Sequence, residues 1–145
     1  MIKRICLILP VVIAAGLLFA GCAEEAGQEI EFETLSMGYY SQVSQESSYV
    51  IKEEHELQQI WDSIEENSPP VIDFESNMVL AVFQGEQPTG GYEIEIERIV
   101  ETADKLQVYI KEISPDPDDM VIQALTYPYH IVKMPLVDKN VEFIK

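Results

Sequence analysis

Proton transfer near neutral pH falls first to histidine, and this 145-residue sequence has two, His55 and His130. His55 stands among Glu53, Glu54 and Glu56, a setting that suits a solvated helix face. His130 closes the string Tyr127-Pro128-Tyr129-His130, which suits either a binding edge or the start of a strand. Two imidazoles far apart in sequence, with no cysteine to join them, do not make a zinc site. Asp116, Asp118 and Asp119 could offer oxygens to Ca²⁺, but an EF-hand-like loop from Asp116 needs Gly at its sixth place and Glu at its twelfth. Those places hold Val121 and Tyr127. A serine nucleophile needs a base held by an orienting acid, and the chain has no Gly-x-Ser-x-Gly elbow. Carboxylates are so common here that a pair of them carries no information about acid–base work. The expectation is a protein that is not an enzyme and holds neither metal nor cofactor.

Binding chemistry concentrates in Gly85-Glu86-Gln87-Pro88-Thr89-Gly90-Gly91-Tyr92. Adjacent glycines permit positive φ and close approach of the backbone to another surface. Pro88 stiffens the approach to them, and Tyr92 offers an aromatic that costs little entropy to order. The same residues also fit a turn that merely joins two strands. No Lys-Ser or Lys-Thr follows and no helix begins there, so the segment is not a phosphate loop.

The charge balance narrows the partners. Asp and Glu number 26 against 9 Lys and Arg, a formal charge of −17. Nucleic-acid affinity is carried largely by Lys and Arg, so no nucleic-acid partner is expected. The same acid excess opposes docking of the folded body on anionic lipid, which leaves membrane contact to an N-terminal lipid. Val, Ile, Leu and Tyr are plentiful enough for one self-sufficient core without disulfide or metal.

Residues 1–21 read as a signal peptide, with Lys3 and Arg4, an apolar run from Ile5 to Phe19, then Ala20-Gly21. Cys22 follows directly, and the string resembles the bacterial lipobox, whose cysteine takes diacylglycerol and palmitate and becomes the new N-terminus. Phe19 stands where that motif usually has Leu. Cys6 leaves with the leader, so acylation accounts for the one remaining thiol. Residues 22–29 form the acylated cysteine and an acidic tether, and residues 30–145 a single globular domain. The expected location is the cell membrane, lipid-anchored and facing outside the cytoplasm.

Hydrophobic periodicity supplies the elements. Ile30-Phe32-Thr34 alternates with acids as a strand would, and Tyr39-Tyr40 and Tyr49-Val50-Ile51 suggest two short ones. Leu57, Ile60, Trp61 and Ile64 fall on one face of a helix over 53–65, which Pro69-Pro70 forbids from continuing. Met78 to Phe83 is a continuous apolar run, expected to be buried on both faces. Strands are expected over Tyr92–Ile96, Leu106–Lys111, Val121–Thr126, His130–Lys133 and Val141–Ile144. The fold class is α+β: a mostly antiparallel sheet, or a sandwich, with one amphipathic helix packed on it.

Over about residues 78–135 the sequence resembles the C-terminal domain family of the protease complex subunit PrcB. The resemblance rests on the apolar run, the string Gly85-Glu-Gln-Pro-Thr-Gly-Gly-Tyr92, the alternating strand after it, Ser114-Pro115, and Leu125 to Val132. It implies a lipoprotein that binds another extracytoplasmic protein, a protease among the candidates, and helps a complex form or persist. The expected partner-binding residues are Gly85, Pro88, Thr89, Gly90, Gly91, Tyr92, Tyr127, Pro128 and Tyr129. A second likeness, to chagasin-like cysteine-protease inhibitors, would use loops 87–92 and 127–130 as a wedge. Gln87, Gly90 and Tyr127 depart from that pattern, which makes inhibition the alternative.

Overall fold

The computed structural model describes residues 27–145; the expected signal peptide, Cys22 and most of the expected tether lie outside the described residues. Eight strands and one helix follow in order: β1 (Gln28–Glu29), β2 (Glu33–Gly38), β3 (Ser47–Ile51), α1 (Glu54–Asp62), β4 (Asn77–Phe83), β5 (Glu93–Glu101), β6 (Lys105–Ile113), β7 (Tyr129–Pro135) and β8 (Asn140–Ile144). They form two four-stranded sheets, β1-β5-β6-β8 and β2-β7-β4-β3. Every pairing is antiparallel except β6 with β8. The result is an α+β sandwich with its helix laid outside one sheet.

The apolar run of β4 explains the layering. Met78, Leu80 and Val82 point between the sheets, against Ile94, Ile96 and Ile99 of β5 and Leu106, Val108 and Ile110 of β6. Val79, Ala81 and Phe83 point the other way, onto Leu57 and Trp61 of α1 and Ile64 just after it. A strand with a core on each side has no polar face, hence the unbroken hydrophobic string. Glu54 and Glu56 occupy the first turn of α1, where the helix dipole favours them, and the Glu56 carboxylate accepts the Lys52 backbone N–H at 3.0 Å.

Several strand boundaries differ from expectation. Ile30 to Phe32 is not strand but the crossover from β1 in one sheet to β2 in the other, with Ile30 N–H donating to the Ile99 carbonyl. Tyr39-Tyr40 lies beyond β2 as the chain bends away. Residues 121–126 form no strand; one isolated bridge, Gln87 with Thr126, is their share of pairing. The helix ends at Asp62, and Ile64 packs from a following turn through its N–H to the Trp61 carbonyl. β5 runs on to Glu101 across a bulge between Ile96 and Arg98, which resets the alternation so that Ile99 again faces inward.

Candidate functional site

Three segments meet at one end of the sandwich. β4 ends at Phe83, Gln84 N–H donates to the Pro128 carbonyl, and Gly85 turns the chain with φ of +80°. A Cβ at Gly85 would lie 2.8 Å from the Glu46 backbone nitrogen, so this turn needs both left-handed φ and the missing side chain. Gln87 and Thr126 then exchange backbone hydrogen bonds of 2.8 and 3.0 Å, and Gly90 N–H donates to the Ile122 carbonyl at 2.8 Å. The Thr126 hydroxyl donates to the Thr89 carbonyl at 2.7 Å. Tyr127 N–H donates to the Tyr39 carbonyl at 2.7 Å and brings in the third segment. The Gly85–Tyr92 loop and the stretch leading into Tyr127 are thus zipped together across roughly forty residues of chain.

A cleft of about 250 Å³ opens where they meet. Gly90, Gly91 and Thr126 line it together with Tyr39, Tyr40 and Met120 to Ile122. Gly91 holds φ at +85°, and a Cβ there would meet Pro115 and Val121 side chains at 2.8 and 2.9 Å. Met120 is fully exposed, Ile122 is 68% exposed and Tyr40 56%. Isolated exposed hydrophobics are ordinary, whereas several around one cleft mark a contact surface. Carboxylates stand at its edge: the Tyr39 hydroxyl donates to Glu93 at 2.9 Å and the Tyr127 hydroxyl to Glu86 at 2.9 Å. Each of these hydrogen bonds holds its phenol above the usual tyrosine pKa.

The expected partner-binding residues divide into surface and support. Pro88 and Gly91 are exposed, Thr89, Tyr92 and Tyr127 are partly buried, and Gly85 and Gly90 are buried. Pro128 and Tyr129 are buried as well, Tyr129 at 4% exposure. The Tyr129 ring lies 6.1 Å from that of Phe83, and its hydroxyl reaches Ser36 Oγ at 3.1 Å and Glu66 Oε1 at 3.2 Å. Burial pushes its pKa up. These two residues brace the loop from beneath and offer a partner little surface. Of stretch 127–130 only Tyr127 reaches the surface, and nothing here adds support to the two-loop wedge of chagasin-like inhibitors. Tyr39 and Tyr40, expected as a short strand, and Val121 and Ile122, expected within another, line the cleft together with Met120, none of them among the expected partner-binding residues. Their one signal was an apolar trio set directly after Asp118-Asp119 in a Pro- and Asp-rich loop.

His130 is 2% exposed and lies in the core. Its Nδ1 accepts the Ile96 N–H at 2.9 Å, across the two sheets at the β5 bulge, so the proton sits on Nε2 and is donated to Thr34 Oγ1 at 2.8 Å. An imidazole so fixed cannot take a proton from Thr34, and burial lowers its pKa to about 4. Asp116 N–H is accepted by Asp119, which makes that acidic stretch a self-capped turn. Among the described residues no group of His, Cys, Asp and Glu could hold a metal ion.

Thr126→Val keeps the shape at the centre of the zipped loops and removes the donor to Thr89. The expected loss is about 1 kcal/mol in urea unfolding, with faster hydrogen exchange at the Gly90 amide. Unchanged exchange there would show that the hydroxyl does not hold the loop.

Residues 78–135 match the family model described as PrcB C-terminal, the span over which the sequence itself resembles that family. It runs from β4 to the end of β7 and contains both zipped loops. An uncharacterized protein of Methanocaldococcus jannaschii is 38% identical over 55 residues, which is 38% of this chain and 33% of the relative. The match thus spans about a third of that relative's length. No solved structure matches.

Proposed function

We propose that the chain is a lipid-anchored extracytoplasmic interaction module that assembles or stabilises a protein complex, one containing a protease, and does no chemistry of its own. The observation that carries this reading is the apolar cleft built by two distant, mutually hydrogen-bonded loops, with glycines of the PrcB-like string in its lining. Protein-binding surfaces place exposed aromatic and aliphatic anchors on such a framework. The anchor rests on residues 1–22, and the protease on the family resemblance over 78–135.

Crosslinking in native membranes, with the chain as bait, tests the reading. One stoichiometric partner is expected with the native chain and none with Ile122→Ser, whose side chain is exposed and leaves the fold intact. A partner retained equally by both would move the binding surface elsewhere. Cys22→Ser separately tests the anchor: labelled palmitate should enter the native chain and not the variant. Equal labelling would refute acylation at Cys22.

A further inference from the structure

The chemistry of the partner is legible in the cleft. Its volume, about 250 Å³, lies below the range of roughly 300–1,000 Å³ usual for small-molecule sites, and its lining is mostly apolar. That space suits one large apolar side chain. Carboxylates stand close to it. Glu86 and Glu93 stand at the tyrosines, and Asp116, Asp118 and Asp119 precede Met120 in the chain. Among the described residues no Lys or Arg lines the cleft. Several of the described cations are engaged with other groups: Lys133 pairs with Glu33, Lys139 with Glu101, Lys145 with Glu46 and Glu112, and Arg98 lies over the Tyr109 ring.

We propose that the cleft of the interaction module takes one apolar side chain from a partner segment flanked by Lys or Arg. The proposal rests on the reading of this end of the sandwich as the binding surface. An apolar anchor gains by leaving water, while flanking cations meet the carboxylates at the rim, where complementary charge steers encounter and rejects acidic partners. A second copy of this chain would bring its own acid excess to the same rim and is disfavoured by repulsion.

The test uses the full chain and labelled peptides, read by fluorescence anisotropy. One peptide carries a single Phe between Lys pairs, a second the same Phe between Glu pairs, and a third Ser in place of Phe between Lys pairs. Only the first should bind, with affinity falling about tenfold as salt rises from roughly 0.05 to 0.5 M. Met120→Ser and Ile122→Ser, both at exposed positions, should each weaken it several-fold without altering urea unfolding. Equal binding of the Glu-flanked peptide would overturn the charge requirement, and equal binding of the Ser peptide the apolar one. Sedimentation that shows a dimer lost in Ile122→Ser would mean that a second copy covers the cleft. That result overturns the proposal. If no peptide binds while membrane crosslinking still loses its partner in Ile122→Ser, the partner chemistry fails and the interaction surface stands. If crosslinking also ignores Ile122, the surface itself is wrong.

Discussion

Acidification from pH 6.5 to 4 is expected to remove about 3 kcal/mol of folding stability through His130 alone. The buried imidazole stays neutral in the folded chain down to about pH 4, because burial penalises its cation. It has no room for a second proton either, since Nδ1 already accepts the Ile96 N–H. In the unfolded chain the same ring takes up a proton near pH 6.5. Between those values the unfolded state binds more protons than the native state, so stability falls as pH falls, and the whole loss is in place below 4. Urea unfolding of the native chain and of His130→Gln, at pH 7 and at pH 4, isolates this contribution. Every other ionisable group is common to both proteins and cancels in the comparison. The variant should be the less stable at pH 7, and its disadvantage should shrink by about 3 kcal/mol at pH 4. Parallel pH dependence of the two would show that His130 does not carry the acid sensitivity.

His130 also shows why parts of this molecule resisted a reading from sequence. Its neighbours Tyr127-Pro128-Tyr129 permit a binding edge as readily as a core strand, and its role depends on the bulge in β5, which frees the Ile96 N–H for an inter-sheet acceptor. Patterns that depend only on a residue's own strand were legible. The unbroken run of β4 announced two buried faces, and Leu57, Trp61 and Ile64 announced the helix that covers one of them. Alternation does not say which sheet a strand joins. Ile30-Phe32-Thr34 alternates equally well whether the chain stays in one sheet or crosses to the other, and only the pairing of β1 with β5 and β2 with β7 decides it. Residues 121–126 fail as a strand for the same kind of reason: only Thr126 finds a bridge partner, in Gln87, and propensity without a paired strand makes no ladder. The glycine loop stood out in the sequence because backbone geometry imposes residue type at Gly85 and Gly91. Tyr39, Tyr40 and Met120 to Ile122 reach the same cleft through tertiary structure alone, and no local rule demands their identities.

That difference among the glycines yields the second large effect. Gly85→Ala is expected to destabilise the fold by about 2–3 kcal/mol, since an L residue in the left-handed region costs about 1–2 kcal/mol before its clash with the backbone at Glu46 is counted. Gly91→Ala has the same φ penalty, but its Cβ meets the Pro115 and Val121 side chains, which belong to a surface loop and can move. About 1–2 kcal/mol is expected there, with displacement of the cleft wall. Gly90 has no positive φ, and a Cβ would lie at an ordinary 3.5 Å from Ile122, so Gly90→Ala should stay within about 0.5 kcal/mol of the native chain. Urea unfolding ranks the three, and capture of the proposed partner is measured beside it. Gly85→Ala should weaken folding most, and Gly91→Ala should weaken capture beyond what its stability loss explains. Gly90→Ala should spare both. If Gly90→Ala proves as damaging as Gly85→Ala, the loop is not held by left-handed turns. If Gly91→Ala lowers stability without touching capture, the wall formed by Val121 is not where the partner sits. Folding and recognition then separate along a single loop, with Gly85 fixing it to the body of the sandwich and Gly91 shaping the surface it presents.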